Sequence, residues 1–176
     1  MDIISALNDK AFKSTEKRKE IITALRENVL TGDTLESLCN SLNEKQLTLV
    51  MEAVEEITRE ASGHIELNYL TLANRHISAK NNSLRREAAR VIGNLAARFP
   101  DQMADIIPRL LENTKNSGTV IRWSGAYALA QIVSLPQYAV TPLYDTLTAL
   151  YESEADNGVK KQYLVGLKKA KKIRNI

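Results

Sequence analysis

Along most of the chain, apolar residues recur three and four positions apart, which places them on one stripe of an α-helix. The clearest stretch is Ser83–Ala97, SLRREAARVIGNLAA, with Leu84, Ala88, Val91, Ile92 and Leu95 on the stripe. The stretch returns. Adding 37 to those positions gives Ile121, Gly125, Ala128, Leu129 and Ile132, and a further 38 gives Val159, Tyr163, Gly166, Leu167 and Ala170. Subtracting 38 lands on Gln46, Val50, Ala53, Val54 and Ile57. A basic residue follows the leading apolar one in three copies, as Arg85, Arg122 and Lys160. Such a period marks a repeat architecture, in which one unit buries its apolar face only against its neighbours.

The same pattern places the remaining elements. A short helix is expected over Asp2–Lys10, and a longer one from Ser14 or Thr15 that Thr31-Gly32 ends, glycine taking the left-handed conformation there. Asp33 is the expected cap of the next helix, with Glu36 three residues on. Asn43 caps a helix through Glu60, whose outer face carries Glu52, Glu55, Glu56 and Glu60 as exposed charges. After a break at Gly63, a stripe from Ile65 to Ile77 leads to the cap Asn81-Asn82-Ser83 and a helix to Arg98. Phe99-Pro100 ends it. Asp101 is expected to cap a helix with Met103, Ile106, Ile107, Leu110 and Leu111 inward, kinked at Pro108. Beyond the second copy, Leu135-Pro136 is a stop. A helix from about Tyr138 or Thr141 turns Leu143, Tyr144, Leu147, Leu150 and Tyr151 inward, and the last helix ends near Lys172. No segment alternates as a strand does.

The wording of the copies resembles the second helix of HEAT repeats. Leu84 through Leu95 fits closely, Ile121 through Ile132 fits well, and the last copy departs at Lys160 and Tyr163. The resemblance implies an all-α, right-handed α–α superhelix, a solenoid of four to five antiparallel helix hairpins. The resemblance is strong over Asn82–Val133 and weak before His64, and the solenoid is expected to take residues 1–176 as one domain, with degenerate N-terminal helices over 1–62 and hairpins over 63–99, 100–135 and 136–174. It also implies that Arg85 and Arg122 brace the turn or the neighbouring repeat, that the helix before the second copy is bent by its proline, and that the second helices line a concave face.

Composition narrows the function. The chain has 44% hydrophobic and 26% charged residues, ordinary for a soluble globular protein. No apolar run reaches the roughly 18 residues of a membrane span, and the N-terminus has no signal-peptide core. Cys39 is the only cysteine, so no disulfide framework exists and a reducing, cytoplasmic setting is expected. It reads as a small buried hydrophobe. His64 and His76 have no ligand-spaced partners, so no metal or other cofactor is implied. No phosphate-binding, dinucleotide, serine-hydrolase or metalloprotease motif occurs, and no catalytic residue is nominated. Charge is uneven: residues 1–80 hold 10 Lys+Arg against 13 Asp+Glu, residues 81–176 hold 14 against 8.

Removing the core stripe leaves the outward columns of the second helices: Arg86, Arg90 and Asn94, then Trp123, Tyr127 and Gln131, then Lys161, Val165 and Lys168. Trp123 is the only tryptophan and falls off the stripe, and Trp, Tyr and Arg dominate interface energetics. Arg86 and Arg90 are read as freer to meet a partner than Arg85 and Arg122. The expected function is a non-catalytic protein-interaction scaffold that holds a peptide, helix or acidic segment of another protein. DNA binding is the second choice: some HEAT-like proteins are alkylpurine DNA glycosylases, whose groove carries a carboxylate, and here Glu87 is the only acid on the strong copies. A bilin-lyase type of repeat module has no distinguishing residue here.

Overall fold

The computed structural model describes residues 3–175, and among them only helices and their connections occur. The Asp2 start expected for the first helix lies outside the described residues. The order is α1 (Ile3–Asn8), α2 (Ser14–Arg26), α3 (Gly32–Cys39), α4 (Glu44–Glu60), α5 (Leu67–His76), α6 (Asn82–Leu95), a 3-10 turn (Pro100–Gln102), α7 (Met103–Thr114), α8 (Thr119–Val133), α9 (Pro136–Ala139), α10 (Leu143–Ser153) and α11 (Asn157–Arg174). The chain divides into two compact units within α6, the first ending at Val91 and the second starting at Ile92.

In the first unit α2 packs on α4, α3 on α5 and α1 on α2. The stripe expected for α4 is its core face: Val50, Ala53, Val54 and Ile57 are buried, with Ile21, Leu25 and Leu35 from the neighbouring helices. Burying such side chains stabilises by about 1.5–3 kcal/mol each. Asn43 caps α4 as expected. Its Oδ1 accepts the Gln46 amide at 3.0 Å and Gln46 Oε1 accepts the Asn43 amide at 3.1 Å, which satisfies two donors the helix leaves open.

The connection between α2 and α3 differs from expectation. Helix α2 stops at Arg26, where Asn28 takes the left-handed conformation at φ 56° and the Val29 and Leu30 amides both return to the Ala24 carbonyl. Thr31, not Asp33, is the cap of α3, accepting the Thr34 amide. Gly32 is the first residue of α3, not the terminator of α2. Close approach is the reason for glycine there. A Cβ would stand 2.6 Å from Glu66 Oε2 and 2.9 Å from Asn68 Cβ, and Glu66 Oε1 accepts the Gly32 amide at 2.9 Å.

In the second unit α8 packs on both α7 and α11, and α11 also meets α9 and α10. Gly125 is small where α7 passes, a Cβ there lying 3.1 Å from Asn113 Cβ. The tighter approach is elsewhere: a Cβ on Gly166 would lie 2.6 Å from the Ala130 Cα and carbonyl oxygen, so α11 and α8 touch backbone to backbone. Tyr163, bulky where the repeat expects a small residue, is buried, and Thr114 hydrogen-bonds its hydroxyl. Burial pushes that phenol up to about 12.

Several boundaries move. Helix α6 ends at Leu95 instead of Arg98, and α11 extends to Arg174. Asp101 lies inside the 3-10 turn instead of capping, and α7 starts at Met103 with Pro108 inside it. Met103, Ile106, Leu110, Leu143 and Leu147 are buried, whereas Ile107, Leu111, Tyr144, Leu150 and Tyr151 stay partly exposed.

Candidate functional site

Helix α8 is buried nearly all round. Between Ile121 and Val133 only Arg122, Trp123, Tyr127 and Gln131 retain exposure. Ser124, Gly125, Ala126 and Ala130 are small, which is what lets helices close on the other sides. The open edge is aromatic. The Trp123 and Tyr127 rings stack one turn apart, centroids 5.7 Å apart and planes within 1° of parallel. The Tyr127 hydroxyl and Asn94 Oδ1 are 2.5 Å apart, the hydroxyl donating to the amide oxygen. Gly93 makes room for this ring, since a Cβ there would lie 2.7 Å from Tyr127 Cε1. Trp123 in turn lies beside the start of α11, 3.9 Å from the Cβ position of Gly158. The Tyr127 end of the aromatic edge is therefore held by Asn94, and Trp123 stacks on it.

From Gly158, one flank of α11 carries Lys161, Val165 and Lys168 at helical spacing. Lys161 and Lys168 are exposed and Val165 is 40% exposed. Neither lysine pairs with a carboxylate among the described residues. The second unit holds 11 Lys+Arg against 7 Asp+Glu, with seven of the bases on α11, so an approaching anion meets a positive field here. Asn94, Trp123 and Tyr127 are thus directly joined, while Gln131 lies further along α8 and Lys161 and Lys168 lie on α11.

Arg122 has a different role from its neighbour. Its Nε and Nη2 meet the Glu154 carboxylate at 2.9 and 3.2 Å, and Nη1 donates to the Asn116 and Ser117 carbonyls at 3.1 and 3.0 Å. It braces both the turn before α8 and the turn before α11, as the resemblance implies for this position. Its hydrogen bonds hold the Glu154 carboxyl below the usual carboxylate range. Glu154 carries no sequence signal: its partner is 32 residues away on another repeat.

Arg86 and Arg90 belong to the first unit, in a cleft of about 320 Å³ walled only by four arginines and four glutamates. Arg90 bridges Glu87 at 2.9 Å and Glu55 at 2.8 Å, and Arg86 meets Glu87 at 2.6 Å. Glu55 and Glu87 are only 5% and 3% exposed. The expectation of an exposed Glu55 is thus corrected: its carboxylate is buried between Arg90 of α6 and Arg59 of its own helix. Burial raises the Glu52 carboxyl, with Glu87 adding to the shift. Arg86 and Arg90 are held by carboxylates that need them, so their fork chemistry is engaged inside the unit. Cys39 is buried as expected, and burial pushes its thiol up to about 12, which leaves it without thiolate character.

Two repeats with a shared lettering, an arginine gripping the turn and small residues at the helix contacts now stand together. Residues 82–132 match the family of HEAT-like repeats. The chain contains a HEAT-like repeat. It is similar in structure to an engineered protein whose crystal structure was determined as a structural-genomics target, with a TM-score of 0.74 at 15% identity over 97% of this chain and 78% of that one. That likeness shows an all-α helical-repeat fold. No curated protein matches the chain significantly in sequence. The HEAT-like repeat runs from the cap of α6 to the end of α8, so Arg86, Arg90, Asn94, Trp123, Tyr127 and Gln131 lie within it and Lys161 and Lys168 lie beyond it. No helix among the described residues is long and apolar enough to cross a membrane.

Proposed function

We propose that this chain is a non-catalytic scaffold that binds another protein, and that the second unit meets the partner through Trp123 and Tyr127 on α8 with Lys161 and Lys168 on α11. HEAT-like repeats generally mediate protein interactions. The observation that carries the reading is the aromatic edge of α8. On a helix buried on its other sides, the residues left open include a stacked Trp–Tyr pair whose Tyr127 hydroxyl is held by Asn94. A rigid aromatic pair loses little conformational freedom on binding, and such residues anchor interfaces. Lys161 and Lys168, which meet no carboxylate among the described residues, set the sign of the partner segment as acidic, and exposed Val165 between them suits an amphipathic one.

Affinity capture with the wild-type chain, Trp123→Ala and Lys161→Glu/Lys168→Glu tests this. The expected result is a protein recovered by the wild type and lost with both variants, each variant retaining its helical circular dichroism. Equal recovery with Trp123→Ala overturns the assignment.

A further inference from the structure

A second cavity lies in the first unit, at the starts of α2 and α4, with a volume of about 500 Å³. It falls within the size range of small-molecule sites. Its apolar wall is Leu7, Phe12 and Leu49, and its charged wall is Lys10, Lys17 and Lys45. Among the described residues, no acidic one lines it. Two carboxylates near in sequence are turned onto backbone amides: Asp9 Oδ1 accepts the Ala11 amide at 2.8 Å, and Glu16 Oε2 accepts the Lys13 amide at 2.6 Å. None of the three lysines pairs with a carboxylate among the described residues. Lys17 is fixed in place, its Nζ donating to the Leu7 carbonyl at 2.6 Å. An ammonium has three N–H groups, so it keeps others to offer. The polar side chains beside them are already occupied, Gln46 with Asn43 and Asn8.

A cavity with three cations, no anion among the described residues and an apolar wall has one complementary chemistry. Water-exposed lysines alone would hold any anion weakly and without preference. The apolar wall adds a term that only an anion with an apolar body collects, because seating methylenes there removes them from water. Leu7 is buried, while Phe12 and Leu49 keep partial exposure and leave that wall open to a ligand.

We propose that this cavity binds an amphiphilic anion: a phosphate or carboxylate head held by Lys10, Lys17 and Lys45, on an apolar body seated against Leu7, Phe12 and Leu49. The site is independent of the Trp123 edge and stands or falls separately from it. The same head chemistry occurs in free small molecules and in lipids.

The test is an amide NMR titration of the full chain with octyl phosphate below its micellar concentration, with inorganic phosphate and octanol alongside. Octyl phosphate is expected to give saturable shifts confined to residues 7–17 and 43–49, with a Kd at least about tenfold tighter than either control. Lys10→Gln/Lys45→Gln leaves the Lys17–Leu7 bond intact and is expected to weaken octyl phosphate by about tenfold or more. The absence of saturable shifts at these residues overturns the proposal. So does equal binding by the double variant, or binding of inorganic phosphate or octanol as tight as that of octyl phosphate. With the site supported, co-sedimentation with phosphatidylcholine vesicles containing phosphatidic acid, and not with phosphatidylcholine alone, places the head on a lipid. Octyl phosphate binding without co-sedimentation places it on a free molecule.

Discussion

Arg122 grips Glu154 through two parallel contacts, Nε to Oε2 at 2.9 Å and Nη2 to Oε1 at 3.2 Å, and so ties the turn before α8 to the end of α10. Both partners are largely buried, at 19% and 8% side-chain exposure. Removing one leaves a charge without its partner. Arg122→Ala is expected to cost about 3 kcal/mol. Arg122→Lys, which keeps the charge but not the fork, is expected to lose part of that. Thermal unfolding checks both, and an Arg122→Lys chain as stable as wild type removes the fork from the account.

The same pair fixes a pH dependence. Hydrogen bonds from Arg122 hold the folded Glu154 carboxyl below its unfolded value. A lowered carboxyl binds fewer protons folded than unfolded, so its stabilisation is full above the unfolded value of about 4.3 and is lost as pH falls through the folded one. The stability gap between wild type and Glu154→Gln is therefore expected to be widest near neutral pH and to narrow below about pH 4. Urea unfolding midpoints across that range provide the readout, and a gap that widens toward acid contradicts it.

In the first unit, Arg90 holds two buried carboxylates at once. Arg90→Met takes one cation from each, Glu87 keeping Arg86 and Glu55 keeping Arg59, and is expected to cost about 1.5–3 kcal/mol. Adding Glu55→Gln and Glu87→Gln removes the two buried carboxylates that Arg90 had neutralised in part, so the triple variant is expected to recover part of the loss. A triple variant less stable than Arg90→Met, measured by urea unfolding, contradicts the network as drawn.

The extent to which the sequence foretells this protein follows from how local each cause is. The stripe Val91, Ile92 and Leu95 is written in adjacent turns of one helix, and its burial was legible. Arg122 was legible as a brace through the repeat pattern, but not its partner Glu154, which another repeat supplies. Glu55 looked solvated because it falls off the apolar stripe of α4, among Glu52, Glu56 and Glu60. Its cover comes from Arg90, 35 positions on. Gly32 looked like a helix stop because glycine tolerates φ above zero, whereas the deciding fact is Glu66 standing where a Cβ would be. Trp123 and Tyr127 stood out by falling off the stripe, but their mutual stack and the Asn94 anchor belong to the packing of α8.

Gly166 marks the closest helix contact of the second unit. Alanine there meets the Ala130 backbone at 2.6 Å, and backbone gives way less readily than a side chain end. Gly166→Ala is expected to destabilise by about 1–3 kcal/mol despite the better helix propensity of alanine. Unchanged thermal unfolding contradicts that contact.

The central claim concerns Trp123, and because it is the only tryptophan its fluorescence reports on that one place. The direct measurement is its emission and iodide quenching with and without the captured partner or its acidic segment. The account predicts a shift of the emission to shorter wavelength and protection from iodide, both saturable and both abolished by Lys161→Glu/Lys168→Glu. A partner that binds the chain while the Trp123 emission and quenching stay unchanged contradicts the account.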